Sequence, residues 1–473
     1  MTKRSPEKAL SRRHFFRMAG GAVGAAAGMG MLPIPFNKYL RPIGISDAQA
    51  QTASPAPDLF YAGTDGWISL PSTPSIVSAS LGGVTTHPDT LAPTTADGAP
   101  PGLTTYIFGF RNVTGLTDAQ RANQKNKAQH NAPMFWVDQF NPAAPKDFRV
   151  QLTNLGLALR PDLFDAHTIH WHGFRNVITF FDGEPTGSVA VTTGRIFQYI
   201  YRPRDPGTYM FHCHVEDVEH VHMGMNGPVF VRPLQNGNAT LYPSGKYTYN
   251  DGDGSTGYDR EFAMFCSEVW GDSHWADAHI QLPEWSDYRA DFALLNGRAY
   301  PDTLAPNSPL NMPANAAAAA LLHALPVQTD ADGDLVRPAA PYDHLQYQPL
   351  SALVTCMEGE RVLLRFANLG FRESAMTLSG IKMRVVGKDA TPMKGRDGTS
   401  TSYEASTVSF GAGESIDAIF TAPAYVGPGA YDTYLLYDRA YERSNNLAGG
   451  GRQTEVRVYP AAASLAAQML PNT

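Results

Sequence analysis

The stretch PGTYMFHCHVEDVEHVHMGMNGP, residues 206–228, decides what this chain can be. It places one cysteine among four histidines and three methionines. Because side chains alternate between the two faces of a strand, the Cys213 thiol should point one way and the His212 and His214 imidazoles the other. One strand can therefore carry ligands for two metal centres.

A second histidine cluster lies upstream, in AHTIHWHG at residues 166–173. His170 and His172 share one face of an extended segment, and His167 stands apart from them. We assign His167 to the centre on the cysteine side of the strand. The predicted ligands of the other centre are His170, His172, His212 and His214.

The cysteine side also has candidates downstream, where His220 follows Cys213 by seven residues and Met225 follows His220 by five. A thiolate, two imidazoles and a long axial thioether form the ligand set of a type 1, electron-transfer copper. Zinc favours closed sets of three or four nitrogen and sulfur ligands, and this chain offers too many imidazoles and an axial methionine. The predicted type 1 ligands are His167, Cys213, His220 and Met225.

These two motifs resemble the copper signatures of the multicopper oxidase family, whose cupredoxin-fold members include laccases and metal oxidases. The resemblance extends from about residue 105 to residue 460. It implies that the cysteine copper passes electrons to a histidine-bound type 2 or type 3 centre where dioxygen is reduced. The family usually has five residues from the cysteine to the second type 1 histidine, so His222 competes with His220. We favour His220 because its step to Met225 matches the family.

Two other functions fit part of the pattern. Copper nitrite reductases have two such domains and a type 1 copper, but usually lack a histidine immediately after the cysteine, where this chain has His214. A non-enzymatic electron carrier or copper-binding cupredoxin would fill only the Cys213 centre. The electron donor stays open between phenols, metal ions and a partner protein. Nearby acids that could relay protons, or simply be solvated, are Asp182, Glu216, Asp217 and Glu219.

The N-terminus indicates export. SRRHFFR at residues 11–17 contains a twin arginine, and a weakly apolar Ala/Gly run too short to span a bilayer follows it. We therefore predict a Tat signal peptide over residues 1–50 and a periplasmic or secreted protein. Removing these residues takes away eight basic and two acidic side chains and shifts the formal net charge from −7 to −13. This acidity argues against nucleic acid and anionic membranes as partners, and no later run is long enough to span a membrane.

The remaining chain predicts an all-β protein with two tandem cupredoxin-like Greek-key sandwich or barrel domains. Short strand-like runs alternate with turns that the 43 glycines and 36 prolines supply. The predicted divisions are an N-terminal arm and copper-binding domain over 51–235, a linker over 236–259 and a second domain over 260–473. Residues 54–102 should form an extended arm with few strands.

The second half repeats the plan of the first without its ligands. GERVLLRFANLG near residue 365 parallels KDFRVQLTNLG near residue 150. Aligning Gly380 with Gly173 puts Ser374, Thr377 and Ser379 opposite the upstream histidines. Aligning Pro428 with Pro206 puts Tyr434, Leu435 and Leu436 opposite His212, Cys213 and His214. The insertion over 304–341 should be a loop or cover with a helical run over 316–322.

The sequence leaves two alternatives open, one for the remaining cysteines and one for the assembly of the second copper centre. Cys266 and Cys356 are either a disulfide or two buried thiols, since export permits a bridge. In the family, a trinuclear cluster takes eight histidines, and the chain supplies four. We therefore expect a homo-oligomer in which two first domains share one cluster. In the competing arrangement, a histidine such as His130 or His274 completes a simpler second copper.

Overall fold

The protein is described here from a computed structural model that covers residues 55–70, 104–130, 133–175, 177–279, 281–440 and 451–473. The predicted signal peptide lies outside these residues, as does most of the predicted arm. The part of the arm that is described contains a strand of eleven residues, Leu59–Ser69, which is largely buried.

Twenty strands occur in the described residues. In chain order they are β1 (Leu59–Ser69), β2 (Thr104–Asn112), β3 (Phe135–Asp138), β4 (Phe148–Gly156), β5 (His170–His172), β6 (Ile196–Tyr201), β7 (Gly207–His212), β8 (Asn226–Arg232), β9 (Arg260–Val269), β10 (Phe292–Leu295), β11 (Val354–Met357), β12 (Arg361–Asn368), β13 (Ser374–Leu378), β14 (Met383–Lys388), β15 (Thr391–Pro392), β16 (Tyr403–Ala405), β17 (Thr407–Phe410), β18 (Ser415–Thr421), β19 (Asp432–Asp438) and β20 (Gln453–Tyr459). The α-helices are α1 (Asp118–Ala122), α2 (Asp217–Met223), α3 (Gly271–Ala278) and α4 (Ala316–Ala319).

Strands β1 to β8 form the first sandwich. Its two sheets have the orders β2-β1-β4-β6 and β3-β8-β7-β5. Alternating apolar residues of both sheets meet in an aromatic core, where Tyr61 of β1 contacts the Phe135 ring at a centroid distance of 5.7 Å. The strands that carry the predicted ligands, β5 and β7, are neighbours at one edge of the second sheet.

Strands β9 to β20 form the second sandwich, which repeats the strand pairings of the first and adds strands β14 to β17. Its sheet β11-β20-β19-β13 repeats the order β3-β8-β7-β5, and β9 pairs in parallel with β12 as β1 does with β4. The paired sequence segments noted above fall on the equivalent strands β4 and β12. The predicted all-β fold with two tandem cupredoxin-like sandwiches is confirmed.

One predicted alignment between the halves is wrong by three residues. Thr377 pairs with Tyr437 just as His170 pairs with His212, so the counterpart of His212 is Tyr437 and not Tyr434. The difference lies in the turn before β19, where the Asp432 carboxylate accepts hydrogen bonds from the backbone of Val426 and Gly427. Because of this turn, β19 begins further after Pro428-Gly429 than the alignment with Pro206-Gly207 predicts.

The insertion over residues 304–341 packs on the first sandwich. Trp136 N donates to His323 O at 2.7 Å and Ala324 bridges Phe135, so the insertion covers the outer edge of β3. Its helix α4 is shorter than predicted. His323 would be expected on the solvated surface, but it is half-buried, with its ring 5.0 Å from that of Phe148.

Two further expectations concern thiols and membranes. Cys266 and Cys356 are both buried free thiols, which removes the disulfide alternative. Within the described ranges, the structure contains no helix with the length and apolar character needed to cross a bilayer.

Candidate metal centres

Both predicted centres lie at the end of β7. The strand ends at His212, and Cys213 then continues the ladder because its backbone N donates to Met225 O at 3.0 Å. Helix α2 fills the loop between β7 and β8 and carries His220 in its last turn. A bond from Met225 N to His220 O at 2.9 Å closes this loop onto the strand end.

The first centre brings His167, Cys213 and His220 together. One potential ligand atom from each lies within 4.8 Å of the others, and all three side chains are fully buried. Cys213 Sγ is 3.3 Å from His220 Nδ1, and Thr168 N lies 3.4 Å from the same sulfur. The predicted axial residue Met225 is also fully buried beside them in the core cluster.

His222 lies away from this centre. Its Nε2 accepts a hydrogen bond from Trp270 N at 3.1 Å, and its ring packs among the rings of Trp285, Tyr288 and Phe371. Residues two apart on a helix do not face the same side, so α2 can turn only one of these two histidines toward Cys213. In the structure, His220 faces Cys213 and His222 faces away from it.

The donor set at the first centre fits a metal ion. Both ring nitrogens of His167 are buried and have no hydrogen-bond partner among the described residues. Such orphaned polar atoms are rare because each costs about 1–3 kcal/mol. Gly63 of β1 leaves room for this ring, since a Cβ there would lie 2.7 Å from His167 Cδ2. Gly63 was not among the predicted site residues.

Electrostatics favour a thiolate at Cys213. Burial alone would raise the pKa of the Cys213 thiol, but the imidazoles of His220 and His167 outweigh it and hold this pKa well below its usual value. The Asp165 carboxylate lies 3.7 Å from His220 Nε2, the nitrogen that faces away from the sulfur. A carboxylate in this place orients a ligating imidazole. Asp165 was also missed, although it lies only two residues before His167.

The second centre brings His170, His172 and His212 together. One ring nitrogen from each lies within 4.8 Å of the others, and His172 Nδ1 is 3.4 Å from His212 Nε2. His170 Nδ1 bonds the Asp182 carbonyl and His212 Nδ1 bonds the Cys213 carbonyl, both at 2.8 Å. These bonds occupy Nδ1 of His170 and of His212, so Nε2 of each of these two rings can bind a ligand.

His214 lies next to this group without joining it. Its ring centroid is 4.9 Å from that of His170 and 5.5 Å from that of His212, and the side chain is half-buried. Burial lowers the pKa values of His170 and His172, and holds that of His212 at about 3. The three converging rings are therefore neutral near pH 7, which is the state that binds metal.

The second sandwich approaches the second centre without supplying a ligand. Gly413 has φ of +79°, and a Cβ there would lie 2.8 Å from His172 Nε2. Among the described residues, the histidine, cysteine and acidic groups that could hold a metal are all from the first sandwich. His130 and His274 do not join them: the ring of His274 is 5.0 Å from that of His222, and its Nδ1 bonds the Tyr106 carbonyl.

Comparison with known proteins bears on the segment that holds these strands. Residues 150–236 match the family model described as multicopper oxidase. This segment is similar to a multicopper oxidase domain. Its match confirms the resemblance predicted from the two histidine motifs, with copper as the cofactor and oxidoreductase as the enzyme class. No curated protein sequence matches the chain significantly.

Two solved copper oxidases share the fold of most of the chain. The multicopper oxidase mgLAC is 18% identical with a TM-score of 0.50, covering 86% of this chain and 87% of its own. The blue copper oxidase of Nitrosomonas europaea is 17% identical with a TM-score of 0.51, covering 85% of each chain. A copper nitrite reductase of the same organism is 13% identical with a TM-score of 0.48, covering 88% of this chain and 96% of its own.

Proposed function

We propose that the chain takes single electrons at the Cys213 centre and delivers them to the histidine centre, where dioxygen is reduced. The observation that carries this proposal is the position of Cys213, which follows directly on a ring of the second centre. His212 is bonded to it in the chain, and the His212 ring also bonds the Cys213 carbonyl. Bound copper would supply one-electron transfer at the first centre and reduction of dioxygen at the second.

The residues around the first centre exclude water and limit movement. His167, Cys213, His220 and Met225 are fully buried. The Thr168 amide donates to the sulfur, and the backbone of Met225, just before β8, bonds both Cys213 and His220. A rigid, dry ligand set changes little when an electron arrives, which favours fast transfer. The donor, whether a phenol, a metal ion or a protein, would meet this centre from outside the buried shell.

The second centre supports a homo-oligomer. One chain brings three histidines together with His214 beside them, and the described part of its second sandwich adds none. On the outer side, Ile178 and Phe180 are 63% and 52% exposed, close in sequence to the Asp182 carbonyl that holds His170. A second copy seated on these apolar side chains would bring its own histidines to a shared cluster about a two-fold axis.

A second candidate function rests on the same three rings. Because His170, His172 and His212 already converge within one chain, they could hold a single type 2 copper without a partner. Nitrite-reducing enzymes also pair a type 1 copper with a single second copper, although theirs takes one ligand from a neighbouring subunit. The Tat-type N-terminus supports action in the periplasm or outside the cell for either function.

Copper analysis and native mass measurement of the holoprotein separate these functions. The shared cluster predicts an even oligomer with about five coppers per pair and oxygen uptake with a reducing substrate. Two coppers per chain with nitrite reduction would favour the second candidate. One copper per chain with neither activity would leave an electron carrier. A monomer that reduces oxygen would contradict the shared cluster but not the oxidase.

A further inference from the structure

A cavity of about 390 Å³ lies where the insertion meets the first sandwich. The insertion contributes Leu322, Leu325 and Val327 to its wall, and the body of the protein contributes Met134 and Leu350. None of the predicted copper ligands lines it. A cavity of this size and mainly apolar lining is typical of a small-molecule site.

The wall also contains a buried cation, Arg111, whose residue is only 1% exposed. Its guanidinium donates from Nε to Gln124 Oε1 at 3.1 Å, from Nη1 to Gln129 Oε1 at 3.2 Å and from Nη2 to Gly333 O at 3.0 Å. All three acceptors are neutral. These bonds fix the orientation of the guanidinium and use three of its five N–H groups.

The nearest acid in this network is engaged elsewhere. Asp334 forms an ion pair with Lys127 and accepts a hydrogen bond from Gln124 Nε2 at 3.3 Å. Among the described residues, no carboxylate forms an ion pair with Arg111. Burial lowers the pKa of Arg111 to about 10, so the side chain is still charged at neutral pH. Asp334 and Asp330 act on this charge only at a distance, so an anion that contacts the guanidinium directly would further offset the cost of burying it.

We propose that this cavity binds a small hydrophobic carboxylate, with its hydrocarbon body among the leucines of the insertion and its head group on Arg111. An inorganic anion would satisfy the guanidinium but would leave the apolar wall uncovered. A neutral hydrocarbon would cover the apolar wall but would offer the guanidinium no charged acceptor. A hydrophobic monocarboxylate fits both the apolar wall and the cation, because a guanidinium binds a carboxylate through charge-assisted hydrogen bonds.

Among the other polar residues that line the cavity, two are titratable, and neither changes this choice. The Asp58 carboxylate is already bonded to Lys146 Nζ at 2.8 Å and to Arg149 N at 2.9 Å. The His323 ring bonds the Trp136 carbonyl through Nδ1 at 3.0 Å, and burial lowers its pKa. Arg111 is therefore the cationic anchor of the cavity. The site goes beyond the copper chemistry and does not depend on it.

The test uses the full-length holoprotein and two probes of equal chain length, octanoate and 1-octanol, with binding followed by calorimetry. We expect octanoate to bind at least about tenfold more tightly than octanol, the factor that one charge-assisted bond supplies. Arg111→Gln should remove this preference and leave octanol binding unchanged. Arg289→Gln, at a half-exposed arginine of the second sandwich, is the matched control and should keep it.

Leu322→Trp provides a second test that leaves the guanidinium intact. It should narrow the cavity and weaken the binding of both probes. Equal affinity of the wild-type protein for octanoate and octanol would overturn the proposal, and so would failure to bind either probe at millimolar concentration. These wild-type measurements decide even if Arg111→Gln does not fold. The copper content and colour of the protein should be the same with and without octanoate.

Discussion

The two sandwiches fill the same interior position in different ways. In the first, Cys213 N bonds Met225 O at 3.0 Å, and the sulfur faces two imidazoles. In the second, the equivalent backbone bond runs from Asp438 N to Arg452 O, also at 3.0 Å. The strand register thus makes Asp438 the counterpart of Cys213 and Arg452 the counterpart of Met225.

The side chains at the second position satisfy one another. Arg452 Nη1 lies 3.0 Å from Asp438 Oδ2 and also donates to Ser374 Oγ, the counterpart of His167. Its Nη2 donates to the Ser267 carbonyl at 2.8 Å. In the first sandwich, the ring nitrogens of His167 have no such partner among the described residues. The fold thus has a polar site at this position in both sandwiches: the Arg452 guanidinium fills it in the second, and a bound metal ion would fill it in the first.

The largest effect should come from Cys213→Ser. The thiolate is the source of intense visible absorption in a type 1 copper centre, and the second sandwich has no thiol at the equivalent position. We expect loss of that absorption and of oxygen uptake, with the fold retained. Cys356→Ser, at another buried free thiol, should keep both. A blue band that survives Cys213→Ser would contradict the type 1 assignment.

A matched pair of changes on α2 separates its two histidines. His220→Gln should bleach the blue band, because its Nδ1 is the imidazole nitrogen 3.3 Å from the sulfur. His222→Gln should keep the band and lower only stability, since an amide oxygen can still accept from Trp270 N. Absorption spectra of the two copper-loaded variants give the result. The opposite outcome would show that α2 presents a different face to Cys213.

In the second sandwich, Arg452→Met should act on stability alone. The change introduces methionine, the residue found at position 225 in the first sandwich, and leaves the buried Asp438 carboxylate without the Arg452 guanidinium. Breaking a buried ion pair on one side costs about 3–5 kcal/mol, and we expect a loss of that size in chemical denaturation with the blue band unchanged. Adding Asp438→Asn should recover part of the loss. If the free energy of unfolding falls by less than about 1 kcal/mol, Arg452 and Asp438 do not form the buried ion pair that their geometry indicates.

The sequence predicted the first sandwich better than the second for a physical reason. Alternation along a strand and short ligand spacings identified the residues that meet at the end of β7. The Arg452–Asp438 pair was missed because its partners are far apart in sequence and meet only through strand register, which the turn before β19 shifts. Gly63 and Gly413 were missed for a similar reason, since the rings they accommodate, His167 and His172, are distant in sequence.

The smallest expected effect concerns the axial position, where Met225→Leu should keep the colour and raise the reduction potential. Leucine fills a similar volume, so the fully buried site should lose less than about 1.5 kcal/mol of stability. The potential should rise because a weak thioether donor that favours the oxidised metal is replaced by a group that donates nothing. Spectroelectrochemical titration of both proteins measures the difference. A lowered potential would count against Met225 as the axial ligand and would weaken its equivalence with Arg452, whose guanidinium contacts Asp438 directly.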